Sequence, residues 1–438
     1  MPTSLLVTEF ARIASFVHDT DVDDLPAHTV DRARWLLLDL LGVAAAGART
    51  ELSRIVRDHA VAHFGAGPGA VGVPMLFDGR EVSPAGAALA GGMTIDAIDA
   101  HDGHRLTKGH TGCGLLPSVL AFHAAQGIDE WDDLLTALVI GYEVGTRAGI
   151  ALHATASDYH TSGAWISVGC ALVGARALGL DTDRTAEAIG IAEYHGPRSP
   201  MMRVIDHPTM LKDGSGWGAM AGTSAAYLAA DGFTGAPAVT VTTPEVAAIW
   251  SDLGTTWLIE DQYLKPVPVC RWAQPAVAAV QDLLVAHGVS APDVAAVEVT
   301  TFHEAARLAV RHPATTEQAQ YSLPFPVAAT IVHGEVTPLT VTTGLEDPAV
   351  NRLSSLVTIV EDEAHNEAFP ARRFARVTLT THDGRRLASA DTEAPGDPHT
   401  PLTEREILDK FRAYAGPAAS SLEEATSVSA LLACSATP

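Results

Sequence analysis

Residues 99–110 read Asp-Ala-His-Asp-Gly-His-Arg-Leu-Thr-Lys-Gly-His, which sets Asp99, His101, Asp102, His104, Arg105, Lys108 and His110 within one short stretch of a chain that is only 18% charged. Apolar, alanine-rich residues flank it at 85–97 and 115–125 and predict buried helices, so these side chains are expected to line a cleft. Ionisable groups held in a cleft acquire shifted pKa values and become candidate acids, bases and anion ligands. In that reading Asp99 or Asp102 orients His110, and Lys108 supplies a cation. His101, Asp102 and His104 are competent ligands for a divalent metal. Neighbours one residue apart seldom converge on one ion, however, and no helical His-x-x-x-His pair accompanies them, so no metal is assigned.

Two further segments carry lysines in suggestive company. Lys212-Asp213-Gly214-Ser215-Gly216-Trp217-Gly218 precedes an apolar stretch. Lys212 and the amides around Gly214 and Gly216 are thereby placed to face one carboxylate at a helix N-terminus. Lys265-Pro266-Val267-Pro268-Val269-Cys270-Arg271-Trp272 lies where helical texture gives way to strand texture, and such junctions are where ligand clefts form. Lys265 and Arg271 add cations there, with Arg271 a candidate carboxylate clamp. Cys270 reads as a buried, inert thiol because no histidine follows at short spacing. Tyr159-His160 and Tyr142 are left by spacing alone between packing and catalysis. The glycine cluster at 65–72 contains Pro68 and follows no strand pattern, which argues against a dinucleotide loop.

The elements that position these groups fall into two textures. Apolar residues recur at helical spacing over 30–46, 131–151, 167–178, 182–194 and 218–230, which predicts one helical domain over residues 1–265. From 291 onward, 294–302, 356–361, 375–381 and 386–391 are β-branched or alternating, with His382-Asp383-Gly384-Arg385 reading as a hairpin turn between the last two and one helix expected over 318–333. This predicts a small α+β domain over 266–394. Ala394-Pro395-Gly396-Asp397-Pro398 is a linker by composition and leads to a helix over 403–413, opened by a Thr403/Glu406 capping box.

Composition bounds the function. The 438 residues exceed the size of a single core, and 52 acidic against 28 basic residues give a net charge of −24, which repels nucleic acid and anionic membranes. An anionic substrate therefore needs a local positive pocket. No apolar run reaches the ~18 residues of a spanning helix. Four cysteines without metal-ligand spacing, and an N-terminus without a basic-then-apolar signal pattern, point to the cytoplasm.

Taken in order, these segments resemble the MmgE/PrpD family over nearly the whole chain. The resemblance is carried by Asp24-Leu25-Pro26 with Leu38-Asp39-Leu40-Leu41-Gly42, residues 99–110 leading into Leu116-Pro117, Tyr159-His160, Lys212 with its glycines, residues 265–271, Ser322-Leu323-Pro324-Phe325, and Pro395-Gly396-Asp397-Pro398. It implies a mainly helical fold, in which a large helical domain is built from both chain ends (1–265 and 395–438) with an α+β lid inserted between them. It also implies a homodimer and catalysis without metal or organic cofactor. Carried over by motif, Asp99, His110, His160, Lys212 and Lys265 form the catalytic set, with Asp102, Lys108, Tyr142, Gly214, Gly216 and Arg271 as substrate-binding candidates.

The sequence departs from the family pattern at two places. His101-Asp102-Gly103 stands where the dehydratases and decarboxylases tend to have Asp-Asp-Thr, and Phe325 stands where they tend to have a phenol, although Tyr321 is nearby. Lys108-Gly109-His110 looks more like the epimerase branch. The resulting expectation is a cofactor-free lyase that abstracts a proton α to a carboxylate of a small di- or tricarboxylic acid, with loss of water. The alternatives are an epimerase of an iminodisuccinate-like dicarboxylate, a cis-aconitate-type decarboxylase, and a binding protein that keeps the fold without turnover.

Overall fold

Alanine, glycine and leucine at helical spacing build most of the molecule, seen in a computed structural model that describes residues 3–435. The outermost residues of the expected 1–265 and 395–438 segments lie outside the described residues. The helices Pro84–Asp96, Gly112–Gln126 and Gly163–Ala177 have almost no solvent-facing side, so they form the inner layer rather than an amphipathic shell. Side-chain caps set two helix starts: the Ser83 hydroxyl accepts from the Gly86 amide ahead of Pro84, and Asp181 accepts from the Arg184 amide at the start of Thr182–His195. Small residues set the helix spacing. A Cβ built on Gly92 would lie 2.6 Å from the Gly216 Cα, so Pro84–Asp96 and Ser215–Ala230 cross almost backbone to backbone.

Trp131–Thr155 is long and apolar enough to cross a membrane by length and composition, yet 94% of its most apolar window is buried inside the fold. It is a core helix, with Asp132 and Asp133 in its first turn.

Buried apolar residues separate into two principal cores. One draws on residues 10–264 together with 407–432. The other draws on 267–379 and also takes Met201, Val204 and Ile205 from the otherwise helical N-terminal part. The returning helix Glu404–Ala415 carries the expected Thr403/Glu406 capping box. It is locked to the first core by Lys410, whose Nζ lies 2.7 Å from Asp39 Oδ1 and donates to the Ala100 carbonyl at 2.8 Å. Two short helices, Ala419–Glu424 and Val428–Ser435, follow it.

The second core is covered by a four-stranded mixed sheet in the order 357–361, 294–301, 375–381, 386–388. Val294–Thr301 pairs parallel with Val357–Glu361 (Val297 opposite Val357) and antiparallel with Ala375–Thr381 (Val297 opposite Leu379). Val294, Val297 and Val299 point inward while Glu298 points out, as a half-buried strand requires. Gly384 turns the last hairpin with φ of 87°. The final strand ends at Ala388 rather than at 391, because the Ser389 hydroxyl, not a backbone carbonyl, accepts from the Val377 amide. The single helix expected over 318–333 is two, Thr316–Gln320 and Pro324–His333. Pro324 has no amide N–H to give to the Gln320 carbonyl, which accepts instead from the Cys270 amide at 2.8 Å, and the break turns the buried Gln320 and Tyr321 towards Lys212.

Candidate active site

The loop after Pro84–Asp96 is folded by its own short-range bonds and by a two-residue pairing, Gly103 with Tyr263 and His104 with Gln262. Asp99, Lys108 and Lys212 each hold positive φ, at 50°, 49° and 51°. Such backbone is costly for side-chain-bearing residues and concentrates at functional sites. Pairing with 262–263 delivers Lys265 next to Asp99: its Nζ lies 2.6 Å from Asp99 Oδ1 and 3.0 Å from the Asp99 carbonyl. Burial works to lower the Lys265 pKa, but the Asp99 carboxylate overrides it and holds the group above its usual range. Lys265 is therefore a fixed ammonium.

Lys212 is 1% exposed and its Nζ donates to Gln320 Oε1, while Gln320 Nε2 donates to the Ala97 carbonyl at 2.9 Å. The Tyr321 ring lies 4.7 Å from the same Nζ. Among the described residues Lys212 forms no ion pair. A buried ammonium held by a neutral amide and a π face retains most of its capacity to attract an anion.

Asp96, His101, His110 and Asp213 are packed together at the centre of the site. Asp96 Oδ2 accepts from the Asp213 amide at 3.2 Å and the Ser215 hydroxyl at 2.8 Å, and His101 Nε2 lies 3.3 Å from Asp96 Oδ1. Burial pushes Asp96 up, but these bonds and the His101 ring hold it below the ordinary carboxylate range. Asp213 goes the other way: burial first, then the Asp96 charge, push it up to about 7. Two carboxyls close together are thus driven apart, one kept charged and one kept protonated near neutral pH.

His110 stands between this pair and the loop. Its Nδ1 lies 2.6 Å from the Asp102 carbonyl. A carbonyl only accepts, so Nδ1 carries the proton and Nε2 presents its lone pair. That Nε2 is 3.7 Å from Asp213 Oδ2. Burial, Lys265 and His101 hold the imidazole well below its usual pKa, which keeps it neutral. Ser162 joins the two, accepting from the His110 amide at 3.0 Å and donating to Asp213 Oδ2 at 2.7 Å.

Asp99, His110, Lys212 and Lys265 are thus gathered between the two cores, and the other expected residues are placed differently. Asp102 acts through its carbonyl. Its carboxyl faces away beside Tyr142, where a Cβ on Gly112 would meet Asp102 Oδ1 at 2.4 Å and the Tyr142 hydroxyl oxygen at 2.2 Å, and burial pushes Asp102 up to about 6. Neither residue faces the centre. Arg271 is saturated: it donates to Asp397, the Ala394 and Pro395 carbonyls and Gln274, so it pins the returning chain instead of clamping a ligand. The amides at Gly214 and Gly216 are not open to a substrate, because the Gly214 amide already donates to the Leu211 carbonyl at 3.2 Å, a Cβ on Gly216 would lie 2.3 Å from the Leu89 carbonyl oxygen, and Asp96 takes the neighbouring Asp213 amide and Ser215 hydroxyl. Lys108 sits at the rim with its Nζ 4.5 Å from the Tyr159 ring. His160 is half-buried, and its ring stacks on His153 with centroids 6.5 Å apart. The Cys270 thiol is pushed up to about 12 by burial and Asp99, which fits an inert group.

Residues that spacing did not single out complete the site: Asp96, Asp213, Tyr263, Gln320 and Tyr321. Asp213 was adjacent to Lys212 and legible as a carboxyl, but its proton-holding role depends on Asp96, which is distant in sequence. Tyr263 accounts for the missing threonine at position 103. A Cβ on Gly103 would lie 2.5 Å from the Tyr263 hydroxyl oxygen and 2.7 Å from His110 Nδ1, so that phenol fills the space a threonine would take. Phe325 is fully buried in the second core, and Tyr321 is the phenol that reaches Lys212. A cavity of about 200 Å³ bounded by Thr161, Pro197, His207 and Trp217 reaches Lys212 from outside.

Asp99, His101 and His110 carry ligand atoms within 4.8 Å of one another. The set suits a metal poorly, because an ammonium 2.6 Å from its one carboxylate competes for the same oxygen and both imidazoles are already bonded to Asp96 and Asp102.

Residues 11–252 match the MmgE/PrpD N-terminal domain and residues 267–433 the MmgE/PrpD C-terminal domain. A human protein named cis-aconitate decarboxylase is 25% identical over 434 residues, covering 92% of this chain and 86% of the human one. The Aspergillus oryzae cis-aconitate decarboxylase-like protein oryM is 25% identical over 248 residues, 51% of this chain and 47% of that protein. An Aspergillus terreus cis-aconitate decarboxylase is 28% identical over 191 residues, 42% of this chain and 38% of its own length, so the match spans less than half of either fungal relative. With both domains matched in order along one chain, this protein belongs to the MmgE/PrpD family.

Proposed function

We propose that the protein is a lyase of small di- or tricarboxylic acids that works by proton transfer at the carbon next to a carboxylate, and that the reaction is a dehydration. The observation that carries this reading is the pairing of a neutral, lone-pair-bearing His110 with a protonated Asp213, flanked by Lys212 and Lys265. Protons α to a carboxylate are weakly acidic, so the charge that develops on the carboxylate oxygens must meet cations already in place. Lys212, which has no carboxylate of its own, receives that charge, and Lys265 adds to the field while Asp99 fixes its position.

His110 Nε2 takes the α proton, and the C–H electrons form the new double bond. The Asp213 proton goes to the β-hydroxyl, whose C–O bond breaks to release water. The imidazolium then returns its proton to the Asp213 carboxylate across the 3.7 Å gap, which restores both groups and leaves loss of water as the net change. His110 has the base role in preference to His160, which faces His153. Lys108 and its neighbours remain at the rim, available to a remote part of the substrate.

Decarboxylation is a second reading, supported by the names of the relatives. There the same Asp213 proton goes to carbon as carbon dioxide leaves. An EDTA-treated sample incubated with a panel of hydroxylated and unsaturated di- and tricarboxylic acids separates the readings. New olefin without carbon dioxide supports dehydration, carbon dioxide supports decarboxylation, inversion without either supports an epimerase, and activity lost on chelation contradicts the cofactor-free mechanism.

A further inference from the structure

The proton pair makes no use of one buried cation beside the site, Arg373. Arg373, just before the Ala375–Thr381 strand, is 5% exposed, and its Nε and Nη1 have no hydrogen-bond partner. Its Nη2 reaches only the Arg105 carbonyl, at 3.4 Å. Burying a guanidinium without a counter-charge is strongly unfavourable, so a cation left in this state points to an anion that arrives from outside.

Its surroundings sharpen the point. The Arg373 guanidinium lies 5.4 Å from the Tyr263 ring centroid, and the Tyr263 ring meets His110 edge-on at 6.4 Å. One phenol ring therefore separates Arg373 from the base. Arg105 and Lys108 approach from the same loop, each half-buried. His104, whose two ring nitrogens have no partner, is pushed down to about 3 by burial and by Arg105 and Arg373, so it adds a neutral donor. Glu304 is the acid facing Lys108, and Arg373 forms no ion pair among the described residues. Arg271, the other guanidinium on Tyr263 at 4.8 Å, shows the contrast: Asp397 and two carbonyls satisfy it. At the centre, Asp99 already balances Lys265 and Lys212 is committed to the carboxylate next to the reacting carbon, leaving little positive charge there for a second carboxylate.

We infer that Arg373, with Arg105 and Lys108 beside it, binds a carboxylate of the substrate remote from the reacting carbon, and so selects acids with two or more carboxylates over monocarboxylates. This rests on reading the site as one for small carboxylic acids. Arg373 belongs to the segment that carries the sheet, whereas Tyr263, His104 and Arg105 belong to the helical part, so the remote carboxylate also ties the two parts together over the bound substrate.

The test is equilibrium binding of tricarballylate, succinate and butyrate, none of which has a hydroxyl to eliminate, to the full-length protein and to Arg373→Met, Arg373→Lys and Lys212→Met. Arg373→Met should weaken tricarballylate and succinate by roughly ten- to hundredfold, the scale of a charged hydrogen bond, with butyrate unchanged. Arg373→Lys, which keeps the charge in nearly the same volume, should recover part of the loss and guards against a misfolded methionine variant. Equal tricarballylate affinity in wild type and Arg373→Met, or an equal loss for all three acids, overturns the inference. Lys212→Met separates the two levels: binding lost there but kept in Arg373→Met refutes only the role of Arg373, whereas three affinities untouched by Lys212→Met refute the carboxylate site itself.

Discussion

Asp213→Asn probes the proposed acid through stability as well as rate. Asparagine keeps the shape, still accepts from the Ser162 hydroxyl that lies 2.7 Å from Asp213 Oδ2, and cannot ionise. In the wild type the Asp213 carboxyl is pushed up to about 7 from an ordinary 3.8, chiefly by burial and then by Asp96. The unfolded chain loses that proton near pH 4 while the folded chain keeps it to about pH 7, so between those values the folded protein binds one more proton. Stability of the wild type therefore falls as pH rises through this window, by about 1.4 kcal/mol per pH unit. The variant lacks this dependence. At about pH 4 and below the two proteins should agree within about 1 kcal/mol, since a protonated carboxyl and an amide make similar hydrogen bonds, and by pH 5 the variant should already have gained about 1.5 kcal/mol on the wild type. The variant should then gain roughly 3 kcal/mol on the wild type between pH 5 and pH 8. Glu143, pushed up to about 7, and Asp102, pushed up to about 6, titrate in the same range, but they are present in both proteins and cancel in the difference. Denaturant unfolding at half-unit pH steps measures that difference. A gap that stays flat from pH 5 to 8 would mean that Asp213 is ionised throughout, and the acid role would fall with it.

Other consequences are more direct. Turnover should decline as pH rises through about 7, where Asp213 loses its proton, and a rate that climbs through that range would contradict the assignment. Lys212→Met removes a buried ammonium with no ion-pair partner among the described residues, so it should cost at least ~100-fold in turnover without lowering the melting temperature; unchanged turnover would remove Lys212 from the mechanism. Gly103→Thr forces a Cβ within 2.5 Å of the Tyr263 hydroxyl oxygen and should destabilise by about 1–3 kcal/mol while abolishing turnover. Wild-type behaviour of that variant would show that Tyr263 does not hold the space.

Most of the long helices and all four strands of the main sheet were legible because their signals are local, although the last strand is shorter than expected and the helices Thr3–Asp19, Glu51–His63 and Gln274–His287 were not singled out. Periodicity, Ser83, Asp181 and the Thr403/Glu406 box all act within a few residues. The break at Tyr321–Leu323 was missed because apolar spacing continues through it, and only Pro324 argues otherwise. At the site, Asp99, His110, Lys212 and Lys265 could be named from density and motif. What could not be read was which partner each would meet. Asp96 takes the helix end that glycine spacing offered to a substrate, Asp397 takes Arg271, and Asp102 is used through its carbonyl. Each outcome depends on a contact between residues well apart in the chain or on which way a side chain turns, and neither is encoded in spacing. Arg373 was invisible for the same reason, since an arginine before a strand is ordinary until its surroundings are seen to lack an anion.

The most direct test of the account is proton NMR of the chelated protein in D₂O with hydroxylated di- and tricarboxylic acids, run beside His110→Gln. Loss of the α-proton signal together with new olefinic resonances in the wild type, and neither in the variant, is the predicted result. Olefin or carbon dioxide formed at undiminished rate by His110→Gln would contradict the claim that His110 moves the proton.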